Sequence, residues 1–143
     1  MTQKYEDLKI LEYRNWTVYL NSNQSYLGWM YVLHKSLLDI DLFEISYDEL
    51  EELHQIISSL RQCLNTLFAP DRFNYASLCN VFNRLHVHVI PRYCREVIFD
   101  EFQFCDHNWG KNYSPYDKGF KLDVKVLRKL KNRITEELCK LEH

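Results

Sequence analysis

In the run Asn83-Arg84-Leu85-His86-Val87-His88-Val89-Ile90-Pro91-Arg92-Tyr93, polar and apolar side chains alternate. Successive side chains of an extended strand point to opposite faces, so Arg84, His86 and His88 project from one side and Leu85, Val87 and Val89 from the other. One face is suited to a core. The opposite face gathers two imidazoles and a guanidinium, which need partners if buried and form an anion site if exposed. Two imidazoles at this spacing can also share a metal ion, but a permanently charged arginine beside them repels a cation and no carboxylate is near in sequence. Phosphate chemistry suits the face better. Imidazole is nucleophilic only when neutral, and a neighbouring arginine disfavours a second positive charge, so His86 is expected to be uncharged near neutral pH and to attack phosphorus. Arg84 and His88 are then expected to receive the negative charge spread over phosphoryl oxygens in the transition state. This chemistry requires neither metal nor organic cofactor.

Other candidates carry less. His34-Lys35 follows an apolar run and could reach a phosphate, but a basic pair at a strand end is more often solvated. His54 sits among helix-spaced residues as a flank position. His107 and Trp109 either shape a site entrance or cover a sheet. Cys79 and Cys94 flank the histidine strand without a base arrangement that would make either a nucleophile.

The elements that must hold this strand can be read from periodicity. Trp16 to Leu20 and Trp29 to Leu33 are rich in β-branched and aromatic residues and are separated by a polar loop ending at Gly28, which predicts a hairpin. Ser46 and Glu49 have capping-box spacing, with Ile45 and Leu50 placed for a hydrophobic staple. Leu50, Leu53, Ile57, Leu60, Leu64 and Leu67 then form a helical stripe that Pro70 must end. Phe73 to Leu78 and Leu85 to Tyr93 read as strands. A second helix is expected over about Asp123 to Lys140, with Leu127, Leu130, Ile134 and Leu138 inward and its Lys and Arg residues solvated. Strands joined by short connections, with helices outside strict alternation, predict an α+β fold: an antiparallel sheet with a long helix after the first hairpin and a C-terminal helix.

With 143 residues and 46% apolar content, the chain suits one domain, expected over 1–140. The last three residues, 141–143, read as an expression-tag remnant, so His143 is given no role. Eighteen basic against 20 acidic residues exclude the global positive field of a nucleic-acid polymer binder. The polar start and the lack of any apolar run long enough for a bilayer predict a cytoplasmic protein without membrane partners. Five scattered cysteines without Cys-x-x-Cys spacing give no disulfide framework or structural zinc site.

Beyond these readings, the chain resembles the histidine triad superfamily, in particular its dinucleoside polyphosphate hydrolase-like branch. That family's signature is three histidines alternating with apolar residues, often followed, as here, by Pro91-Arg92. Asn21 with Gly28 and the strand after it resembles the ribose-side loop and hairpin. Phe73-Asn74-Tyr75 and Asn80 resemble the strand and turn before the signature, and Asp106 to Tyr116 resembles a downstream tryptophan-containing segment. The resemblance implies a homodimer and a nucleotide substrate, attacked at its α-phosphorus by the middle histidine to give a nucleotidyl-histidine that water resolves. His86 matches that nucleophile and His88 the last histidine, which hydrogen-bonds the phosphate. Asn21, Asn74 and Asn80 match nucleotide-side positions, although asparagine also favours turns. The chain departs from the pattern at Arg84, where the first histidine should stand. Arginine binds phosphate strongly but exchanges no proton near pH 7. Full activity, an altered leaving-group preference, and a nucleotide-binding module with weakened catalysis are all compatible with that replacement.

Overall fold

β-Branched and aromatic runs bounded by polar turns give a five-stranded antiparallel sheet. The structure, a computed structural model, describes residues 7–141. The sheet consists of β1 (Lys9–Glu12), β2 (Trp16–Leu20), β3 (Met30–His34), β4 (Arg72–Ala76) and β5 (His86–Arg92), in the spatial order β1-β2-β3-β5-β4. β6 (Val97–Phe99) and β7 (Phe102–Phe104) form a separate two-stranded ribbon. The helices are α1 (Tyr47–Leu67), after the β2–β3 hairpin, and α2 (Val124–Leu141). Leu141, read from sequence as the start of a tag remnant, closes α2; residues 1–6, Glu142 and His143 lie outside the described residues.

The hairpin pairs Val18 with Val32 and Leu20 with Met30, and β3 in turn pairs Val32 with Val87 and Met30 with Val89. These residues share one sheet face and pack with Leu53, Ile56, Leu60 and Leu64 of α1 and Leu130, Ile134 and Leu138 of α2. Each large apolar side chain so buried contributes about 1.5–3 kcal/mol. The histidines of β5 point away from this core.

Helix α1 begins as its sequence requires. Ser46 Oγ accepts from the Glu49 amide at 3.2 Å, and the Glu49 carboxylate accepts from the Ser46 amide at 2.8 Å. It stops at Leu67, ahead of Pro70. The buried stripe differs from the expected one: Leu50 is 37% exposed and Ile57 and Leu67 sit at the flank, while Ile56 and Cys63 are buried. At 3.6 residues per turn the arc covered by the sheet runs through 53, 56, 60 and 63–64, leaving the first turn in solvent. No helix of the described residues is long and apolar enough to cross a membrane.

The β2–β3 loop is organised by one buried amide. Gln24 Nε2 donates to the carbonyls of Asn21 (2.7 Å) and Trp29 (2.9 Å), and its Oε1 accepts from Gly28 N–H at 2.7 Å. Gly28 has φ +90°, and a Cβ there would lie 2.7 Å from Leu64 Cδ2. Only glycine meets both demands comfortably.

Candidate active site

Alternation along β5 carries His86, His88, Ile90 and Arg92 onto the face opposite the helices. Register adds Tyr31 of β3 opposite His88, Leu33 opposite His86 and Asn74 of β4 opposite Ile90. The two imidazoles stand 5.0 Å apart, centroid to centroid, with their planes at 81°. Tyr31 and Phe82 flank His86 at 6.2 and 5.5 Å.

Each ring is fixed at Nδ1, by opposite chemistry. His86 Nδ1 lies 2.7 Å from the Arg84 carbonyl oxygen. A carbonyl only accepts, so Nδ1 carries the hydrogen and the neutral ring has its lone pair on Nε2. Ser77 Oγ donates to the His86 carbonyl at 2.8 Å, and Cys79 Sγ lies 3.6 Å from Nδ1. His88 Nδ1 instead faces the Trp29 indole N–H at 3.0 Å. Burial, with a smaller contribution from His86, pulls the His88 pKa down to about 4. His88 is therefore uncharged at neutral pH.

Arg84 does not continue the alternation. The strand starts at His86, and Arg84 lies in the bend before it. Its Nε and Nη2 donate to the carbonyls of Ser36 (3.3 Å) and His34 (3.1 Å), tying the end of β3 to β5. What Arg84 offers His86 in this structure is its backbone oxygen.

The remaining candidates fall into place individually. Asn21 Oδ1 accepts from the Asn23 amide at 2.9 Å, closing the turn that its residue type favours. Asn74 Oδ1 accepts from Arg92 Nη1 at 2.7 Å, and the residue lines an open cleft of about 780 Å³ with Ser77, Tyr113 and Ser114. Asn80 is exposed in the bend after Cys79. His34 is neither solvated nor on the histidine face: it is buried toward α1, where its Nε2 meets Glu49 Oε1 at 3.1 Å, and Lys35 pairs with Glu12 at 2.9 Å. His54 and His107 are exposed.

What supports His88 lies outside the residues expected from sequence. Trp29 is 2% exposed and packs against Tyr26, Tyr113 and Tyr116, with ring centroids 5.7, 6.1 and 4.9 Å away. The segment expected to shape the site through Trp109 thus reaches the histidine face through its two tyrosines instead. It is anchored by Arg92, whose Nε and Nη2 donate to Asp106 at 2.7 and 3.1 Å and whose remaining donors meet Asn74 and the carbonyls of Asn108 and Lys111. The signals available were the parity of Trp29, just before β3, with Tyr31 and the tyrosine pair three residues apart.

No family model matches the chain and no curated protein matches it in sequence. Solved structures do match it across nearly its whole length. A histidine triad protein of Bradyrhizobium japonicum has a TM-score of 0.75 at 16% identity, with 96% of each chain covered. One of Sinorhizobium meliloti has a TM-score of 0.75 at 19% identity, covering 96% of this chain and 95% of that one. The diadenosine triphosphate hydrolase of Plasmodium falciparum, solved with cyclomarin A, has a TM-score of 0.67 at 10% identity, covering 94% of this chain and 78% of its own. The chain has the histidine triad fold, an α+β architecture.

Proposed function

We propose that this chain is a histidine triad enzyme that transfers or hydrolyses the nucleotidyl group of a nucleoside phosphate conjugate, with dinucleoside polyphosphates as the preferred substrates. The observation that carries the reading is the 2.7 Å hydrogen bond from His86 Nδ1 to the Arg84 carbonyl, which leaves Nε2 as the nucleophilic atom of the neutral ring. Nε2 attacks the α-phosphorus, a phosphorus–nitrogen bond forms, and the phosphorus–oxygen bond to the leaving phosphate breaks with its electron pair on that oxygen. Water then attacks the phosphorus of nucleotidyl-His86 and gives up a proton to solvent, and the phosphorus–nitrogen bond breaks with its electron pair returning to Nε2, which releases the nucleoside monophosphate and restores the neutral ring. His88, uncharged and adjacent, donates a hydrogen bond to a phosphoryl oxygen during both steps. Asn21, Asn74 and Asn80 form the nucleotide side of the site. Two copies assemble as in the family the chain resembles, and five free thiols suit a reducing, cytoplasmic setting.

A second reading, a nucleotide-binding module with weak catalysis, is favoured by one observation: the Arg84 guanidinium is engaged with two carbonyls, which leaves fewer donors for phosphate. Steady-state hydrolysis of diadenosine triphosphate and tetraphosphate, run beside nucleotide thermal shifts, separates the two. Hydrolysis that falls at least about 10³-fold in His86→Ala supports the enzyme. Thermal shifts without hydrolysis support the module, and neither response defeats both.

A further inference from the structure

We infer that Trp29 is a positioning residue for the proposed phosphoryl transfer: its indole N–H, seated in a buried aromatic cluster, holds His88 in the Nε2–H tautomer, so the ring meets the substrate as a fixed donor. The inference rests on the nucleotidyl-transfer reading of His86. An indole nitrogen donates and never accepts, so the 3.0 Å contact from Trp29 Nε1 makes His88 Nδ1 an acceptor. A neutral imidazole has one N–H, which must then be on Nε2. Protonating His88 would set an N–H at Nδ1 against the indole N–H, and one ring would have to move.

Trp29 is not free to move. Gly28 before it is fixed by Gln24 and cannot take a side chain without striking Leu64. Tyr26, Tyr113 and Tyr116 surround the indole edge-on, and Asn108 Nδ2 ties the Tyr26 hydroxyl (2.9 Å) to the Pro115 carbonyl (2.9 Å). Among the described residues, the titratable groups facing His88 are His86 on its own strand and Tyr31 on β3; β4 presents Ala76, and Tyr113 and Tyr116 pack on Trp29. None of these is a carboxylate that would favour an imidazolium. The outcome is complementary: His86, anchored by a carbonyl, offers a lone pair at Nε2, whereas His88, anchored by an indole, offers a hydrogen at Nε2 from the same sheet face. A phosphoryl group between them meets one nucleophile and one donor. The burial that keeps His88 uncharged works in the same direction as the indole.

The test uses the full chain. In the unmodified protein, long-range proton–nitrogen spectra and nitrogen–nitrogen coupling across the hydrogen bond should show Trp29 Nε1–H on His88 Nδ1, a single Nε2–H tautomer, and no His88 titration midpoint in the ordinary histidine range. In Trp29→Phe, which keeps an apolar ring over His88 but removes the donor, the Nδ1–H tautomer should appear. There kcat on diadenosine triphosphate should fall about 5- to 10-fold with little change in KM, the worth of one neutral hydrogen bond. An Nδ1–H tautomer or an ordinary titration in the unmodified protein overturns the inference, even if the variant fails to fold. So does an unchanged kcat in a variant whose tautomer has shifted. A locked tautomer in an unmodified protein that turns over no nucleotide defeats the transfer reading instead, and the two failures are thereby told apart.

Discussion

At the scale of residues, the atom of each side chain that is already committed decides what the rest of it can do. His86 and His88 are both held at Nδ1, one as donor and one as acceptor. For His88 this has a consequence for stability. Its pKa falls from 6.5 to about 4 on folding, so between those values the unfolded chain binds a proton that the native chain does not. Stability is therefore lost as pH falls from 6.5 toward 4, by up to about 3 kcal/mol, and this contribution levels off below 4. Denaturant unfolding at pH 7 and pH 4.5 should show a larger loss for the wild type than for His88→Asn; equal losses would contradict the assignment. Arg84 makes a different prediction, because its guanidinium braces the end of β3. Arg84→Met should cost about 2 kcal/mol of stability while leaving His86-dependent turnover within about tenfold. A large fall in turnover at unchanged Tm would place the guanidinium on the phosphate instead.

At the scale of elements, the β2–β3 loop and α1 meet at Gly28, and Gly28→Ala should destabilise the protein by about 1–3 kcal/mol through positive φ and overlap with Leu64. A melting temperature unchanged in that variant would mean that Leu64 gives way without cost. The hairpin, both helices and the histidine strand were legible because alternation and 3.6-residue spacing are strong over five or more residues. Strand β1 has four residues and little contrast. The two-residue turn of the β6–β7 ribbon is Asp100-Glu101, both at positive φ (49° and 69°), and it lacks the usual hairpin signal because glutamate stands at the second position, where glycine is expected. In the site, alternation placed His86 and His88 together but overran its own strand at Arg84. It could not reveal the Trp29–His88 bond, since partners 59 residues apart are joined only by register.

At the scale of the whole molecule, the 106–116 segment closes over the sheet through one buried ion pair, Arg92 with Asp106. With one partner removed, the other charge is left buried and uncompensated. Asp106→Ala should therefore cost about 3–5 kcal/mol, and proteolysis should then find the 106–116 segment first. Wild-type resistance and Tm in that variant would show that Asn74 and the carbonyls alone suffice to hold Arg92. The same segment carries Tyr113 and Tyr116 to Trp29, so the molecule's outer covering and its histidine face are coupled through packed side chains rather than through the tryptophan at 109.

Whether His86 Nε2 forms a bond to phosphorus can be read by rapid-quench intact-mass analysis of the protein mixed with diadenosine triphosphate. A transient adduct of one adenylyl group, mapped to His86 and absent from His86→Ala, is expected. Turnover that proceeds without any such adduct, or that survives in His86→Ala, would contradict it.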